Sequence, residues 1–233
     1  MALARRLVIV ALICACLAAG LVPTDRGSAA TGLNERLLDL VPAADVGWPP
    51  STGLLVAEIV TGGASASDEW VELANVASAA VDLAGLEVVY VTSSGGTVTR
   101  KASWTSGATL QPGARLLLAN AAGVHASIAD ATYSGGLAAT GGTIVVRAVG
   151  GSPIDAVGWG DAVNLFVEGS PAAAPPPGAS LARRTLPGGG LVDTNDNAAD
   201  LAIETAPTPE GGWSPSPSPS PSPSPSPSPS PSP

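Results

Sequence analysis

Two stretches of this 233-residue chain carry enough side-chain oxygens to do chemistry. One is DEWVELAN, Asp68 to Asn75; the other is DTNDNAAD, Asp193 to Asp200. Paired carboxylates serve as general acid and base when both reach one reacting centre. Clustered Asp and Asn oxygens serve a hard cation such as calcium, which takes about six to eight of them.

The spacing of the first stretch argues against catalysis. On a strand, Glu69, Val71 and Leu73 face one way and Trp70, Glu72 and Ala74 the other. Glu69 and Glu72 then cannot share a reacting centre. Glu72 is expected to be a buried acceptor for backbone amides or an arginine, because a buried carboxylate is tolerated only when bonded. Glu69, near the strand start, is expected to reach water.

In the second stretch Asp193, Asn195, Asp196 and Asp200 are the candidate metal ligands, with calcium the candidate ion. The EF-hand glycine at the sixth position and its closing glutamate are missing. Asp and Asn also bond their own backbone in turns. The expectation is therefore an ion-free turn capped by these side chains. Arg183 or Arg184 is expected to pair with this turn or with Glu72.

Little other chemistry is available. His125 is the sole histidine and reads as a loop residue. No G-x-S-x-G stands on a strand–turn–helix, and no glycine loop that could cradle phosphate precedes a helix. No catalytic residue and no cofactor are expected.

The elements that must position these residues have period two. From Leu54 onward, apolar β-branched runs (LLVAEIV, EWVELAN, GLEVVYV, TVTRKASW, ARLLLAN, TIVVRAV, PIDAVGWG, ASLARR) alternate with Gly-, Ser- and Pro-rich turns. TIVVRAV and PIDAVGWG flank GGS as a hairpin. About seven or eight short strands without a long amphipathic helix predict an all-β antiparallel sandwich. SPAAAPPPGAS reads as a loop before the last strand.

The ends differ in composition. Residues 1–30 read as a secretory signal: Arg5 and Arg6, an apolar run, and a small-residue cleavage site after Ala30. The run is short of the roughly 20 residues of a membrane span. An uncleaved anchor is the alternative. Both cysteines, Cys14 and Cys16, lie inside it, so the cleaved chain holds no thiol chemistry. Cleavage takes the net charge from −9 to −11. Such a surface repels nucleic acid and anionic lipid. Residues 31–52 read as a linker with a short helix capped by Asn34, and 53–212 as the sandwich. Residues 213–233 read as a disordered tail of Ser-Pro dipeptides, polyproline-like and about 60 Å long at ~3.1 Å per residue. It suits a spacer through a cell envelope or a solvated tail.

The core of the chain resembles lamin-tail domains. Ile59 precedes a short loop, then comes E-W-[VI]-E-L-x-N as Glu69, Trp70, Val71, Glu72, Leu73 and Asn75, then D-L-x-G as Asp82, Leu83 and Gly85. The L-x-P-G turn is matched by Leu110, Pro112 and Gly113. The late D-x-V-x-[WY]-G strand is matched by Asp155, Val157, Trp159 and Gly160. GASLARR, with Arg183, and the stretch from Asp193 to Gly211 are similar to the closing pattern of bacterial members, except that Glu210 stands between Pro209 and Gly211. The resemblance implies an immunoglobulin-like β-sandwich in which these motif residues are structural. It implies an interaction module, here without the coiled coil of filament-forming relatives.

The expected function is thus an exported, secreted or cell-envelope, non-enzymatic binding or scaffold module. Its expected partner is a protein or a surface glycan, and a membrane only if the signal segment is retained. The alternatives are a membrane-anchored adhesion module and a metal-dependent hydrolase accessory using the acidic clusters.

Overall fold

The computed structural model describes residues 47–213; the signal segment, most of the linker and the Ser-Pro tail lie outside them. The described chain folds as strands β1 (Leu54–Val60), β2 (Trp70–Asn75), β3 (Val81–Asp82), β4 (Leu86–Thr92), β5 (Val98–Ser103), β6 (Thr109–Leu110), β7 (Arg115–Asn120), β8 (Ala131–Tyr133), β9 (Gly141–Ala148), β10 (Pro153–Gly160), β11 (Ser180–Arg183) and β12 (Leu201–Glu204). A 3-10 turn spans Val124–Ser127 and a one-turn helix, α1, spans Asn197–Asp200.

Two sheets face each other, ordered β12-β11-β1-β2-β7-β8 and β10-β9-β4-β5, and β3 pairs with β6 apart from them. Every pairing is antiparallel except β7 with β8. The fold is an immunoglobulin-like β-sandwich. There are more strands than the turn spacing suggests, because β3, β6 and β8 have two or three residues and no apolar period of their own. The ASLARR strand is not the last: β12 follows and pairs with β11 at the sheet edge.

The main core fills the space between the sheets and includes Val71, Leu73, Leu118, Ile144, Val157 and Trp159. Two smaller clusters lie on the outer faces. Trp70, Val60, Leu117 and Ala119 form one on the six-stranded sheet. Val89, Val91, Val145 and Ala156 form the other on the four-stranded sheet, under Trp48 and Phe166. All of β1 and β2 is therefore buried, which is why LLVAEIV reads as nearly continuous apolar sequence rather than alternating.

Segments beyond the strands provide the outer cover. Residues 205–213 form a strap that binds carboxylates of the six-stranded sheet and its loops. Glu210 N–H donates to Glu72 (2.8 Å) and Gly212 N–H to Asp130 (2.9 Å). A Cβ on Gly211 would lie 1.9 Å from the Ile128 carbonyl oxygen, so only glycine permits this approach. Trp213, grouped with the tail by composition, packs against the main core and donates from Nε1 to the Thr109 carbonyl (3.1 Å). The sandwich likewise begins earlier than residue 53, since Trp48 and Ser51 dock on the groups described next.

Candidate functional site

The densest gathering of charge is a cage of carboxylates around Arg183. Arg183 lies on β11, where alternation turns it inward, and its side chain is fully buried. Its guanidinium pairs with Asp155 of β10 and lies 3.5 Å from Asp193 and 3.6 Å from Asp200. It also donates to the carbonyls of Val56 (2.8 Å) and Val192 (2.9 Å). Asp155 accepts from Val56 N–H (2.6 Å). Both backbone groups of Val56 are thereby bound by the ion pair, beside the register shift between Val56 and Glu58 in β1.

Glu168, in the loop after β10, completes the cage. It accepts from Trp48 Nε1 (2.9 Å), Ala156 N–H (3.1 Å) and Asn197 Nδ2 (3.1 Å). Asp193 accepts from the N–H groups of Ser51 (2.5 Å) and Asn195 (3.3 Å). Asp200 accepts from Thr194 N–H (2.7 Å) and Oγ1 (2.6 Å).

Oxygens of Asp155, Glu168 and Asp193 lie within 4.8 Å of one another, a spacing that could hold a cation. The donor inventory argues for a different use. Each oxygen of the four caged carboxylates already accepts a hydrogen bond, and the guanidinium supplies the positive charge. The charges do not balance, however: four acids face one arginine. Burial, reinforced by the charge of Asp155, pushes Glu168 up to about 8. Burial also pushes Asp155 up to about 6, with Arg183 opposing and Asp193 reinforcing the shift. Burial and the neighbouring acids thus favour the protonated form of Glu168, which lessens the repulsion.

The four candidate metal ligands of the turn are not brought together as a set. Of Asp193, Asn195, Asp196 and Asp200, only Asp193 joins the cluster with Asp155 and Glu168. Asn195, at φ 57°, donates to the Trp48 carbonyl (2.7 Å). Asp196 caps α1 by accepting from Ala198 and Ala199 N–H. Both arginines meet the turn: Arg183 lies against its carboxylates, Arg184 Nε donates to the Ala199 carbonyl (3.0 Å), and Glu72 takes Arg115 instead.

The remaining motif residues each hold backbone. Glu69 is buried rather than wet: it accepts from Leu137 N–H (2.7 Å) and Asn120 Nδ2 (3.1 Å). Lys101, the only lysine in the chain, donates to the carbonyls of Ser134 (3.3 Å), Gly135 (2.9 Å) and Gly136 (3.1 Å). The two charges thus grip one loop by its carbonyls and its next amide. Burial pushes Glu69 up and Lys101 down from their ordinary values. Glu72 and Glu58 sit directly opposite each other across β1 and β2, and burial raises both.

Asn75 spans the β2–β3 connection, donating to Ala79 O (2.9 Å) and Leu110 O (2.8 Å) and accepting from Ala77 N–H (2.9 Å). Asp82 accepts from Ala84 N–H (2.9 Å), Leu83 is buried, and Gly85 takes φ 76°. Pro112 leads into Gly113 at φ 72°, as a turn before β7 requires. Trp159 donates from Nε1 to Ala138 O (3.0 Å), and Gly160 at φ 61° approaches the Thr140 carbonyl too closely for any side chain.

A β-sandwich whose polar motif residues all serve the backbone defines a structural module of immunoglobulin type. The family model described as Lamin Tail Domain matches residues 49–165, and the chain belongs to that family. No curated protein matches the chain. The matched region stops short of Glu168, Arg183 and Asp193, which close the cage.

Glu168 and Trp48 are the members of the site that the sequence reading missed. Neither falls in a spaced motif, and their roles come from a loop and an N-terminal segment folding onto the same strand ends.

Proposed function

We propose that the chain is an exported binding or scaffold module of the lamin-tail type, without catalytic activity, that mediates protein or cell-surface interactions. The observation that carries this reading is the engagement of its carboxylates. Glu58, Glu69, Glu72, Asp155, Glu168 and Asp200 are all buried and all accept hydrogen bonds from the fold itself. A general base needs a lone pair facing a substrate; these face backbone amides, arginines and hydroxyls. A family of immunoglobulin-like domains supports a role in recognition, though fold alone does not name a partner.

The test has two arms. Purified chain is assayed for hydrolysis of ester, phosphoester, glycoside and peptide substrates with and without divalent cations, and is displayed against glycan and surface-protein arrays. Saturable binding without turnover is the expected result; divalent-dependent turnover would overturn the reading. Sequencing the N-terminus of chain recovered outside the producing cell tests export, with a start at Thr31 expected.

A further inference from the structure

A cavity of about 250 Å³ opens where the β1–β2 loop, the 3-10 turn and the strap meet. Buried Trp70 and Asp68, exposed Val124, and His125, Pro207 and Pro209 line it. None of the motif functions described above uses this space. We propose that it is a binding pocket for the guanidinium or ammonium of a basic side chain presented by a partner protein.

Three observations point to that chemistry. Asp68 is the one acidic side chain lining the cavity. Its carboxylate accepts from the N–H groups of Val124 (3.1 Å) and Ser65 (2.8 Å), which hold it below the usual carboxylate range and so keep it ionised. Each oxygen retains capacity for a further donor. Second, the His125 ring meets Trp70 edge to face, at 6.2 Å and 72°. A carboxylate beside aromatic rings is the pairing that stabilises an organic cation, and guanidinium, planar and weakly hydrated, gains more from it than ammonium. Third, the size excludes larger guests. Whole cofactors and drug-sized ligands occupy about 300–1,000 Å³, whereas this space suits one side chain. The chain's net charge of −9 favours a basic partner and disfavours an anionic one. Val124, 71% exposed at the rim, offers the apolar contact that would seat the stem of that side chain.

The pocket rests on the proposed binding role but fails separately from it. The chain's single histidine makes the test direct, because its imidazole C–H resonances are unambiguous by NMR. Full-length chain is titrated with N-acetyl-argininamide, N-acetyl-lysinamide and N-acetyl-citrullinamide, the last matching arginine in shape without its charge. A saturable shift of the His125 resonances with arginine, a weaker one with lysine and none with citrulline are expected. An arginine-containing peptide tests whether the same cation is read in a protein context, and a tighter response than to the free amide is expected. Asp68→Asn should weaken the arginine response about tenfold, as loss of one charge-assisted contact does. Because Asp68 also ties down its own loop, Val124→Asp at the exposed rim provides a second variant and should tighten binding several-fold. An equal response to arginine and citrulline, or no response in either protein, overturns the pocket. Binding to a surface partner that leaves His125 unshifted would overturn it while leaving the binding role intact.

Discussion

Glu168→Gln separates a protonated cage from an ionised one. In the folded chain Glu168 rises from an ordinary 4.5 to about 8. Between those values the folded state holds a proton that the unfolded state has released. Stability conferred by the neutral acid is fully present below pH 4.5, declines as pH rises, and is gone above about 8. Each unit corresponds to about 1.4 kcal/mol, so the loss is on the order of a few kcal/mol, shared with Asp155 because the two carboxyls titrate together beside a permanently charged Arg183. Glutamine is neutral at every pH and removes this slope. Its amide nitrogen cannot accept from Asn197 Nδ2 as Glu168 does, at a cost of about 1 kcal/mol. Urea unfolding at pH 5, 7 and 9 should show the variant slightly less stable at pH 5 and more stable at pH 9, with the curves crossing between. Other buried acids, Glu58 and Glu72 among them, tilt both proteins alike and cancel in the difference. Parallel curves, with the variant below wild type by a constant amount, would show that Glu168 is ionised throughout and refute the reasoning.

Four further outcomes follow from the same contacts. Arg183→Met strands Asp155, Asp193 and Asp200 without their cation and should cost about 3–5 kcal/mol in urea unfolding at pH 7, less at pH 5 where Asp155 protonates. Trp70→Ala empties the outer-face cluster under the strap and should cost about 3–5 kcal/mol; an unchanged melting midpoint would remove Trp70 from the packed framework. Ending the chain after Trp213 should leave the midpoint unchanged, whereas Trp213→Ala should lower stability by about 1–2 kcal/mol through lost burial; equal effects would mean that Trp213 does not anchor the strap. Millimolar calcium should not raise the midpoint over chelator, because the cage oxygens already have donors. A rise that vanishes in the Asp193→Ala, Asp196→Ala double variant would establish an ion site.

How far the sequence could be read depended on whether a contact was local. The alternation through EWVELAN correctly divides Val71 and Leu73 from Trp70 and Glu72, because strand geometry alone sets it. The turn glycines Gly85 and Gly113 were legible for the same reason. Glu69 was misjudged because its solvent exposure depends on Leu137 and Asn120, far along the chain, folding over it. The caps at Asp193 and Asp196 were visible in DTNDNAAD, but their neighbours in space were not. Alternation places Arg183 on the inward face with Leu181, but the acids that it meets there come from segments distant in the chain.

The cage also explains why an acidic protein places four carboxylates on one arginine. Arg183 sits where β10, β11 and β1 converge, and the partners reach it from residues far apart in the chain: Asp155, Asp193 and Asp200 as charges, with Trp48 and Ser51 tied in through Glu168 and Asp193. A purely apolar junction of the same volume would be about as stable or more so. It would not fix direction. Hydrogen bonds from a planar guanidinium and from single backbone amides accept only one arrangement of these segments, and a slip of β11 that put Ala182 in place of Arg183 would leave the caged acids without their cation. The segment from Glu168 onward lies outside the matched family region, and the ion pairs define how it closes on the family's sandwich. On this argument the acids act as a register lock.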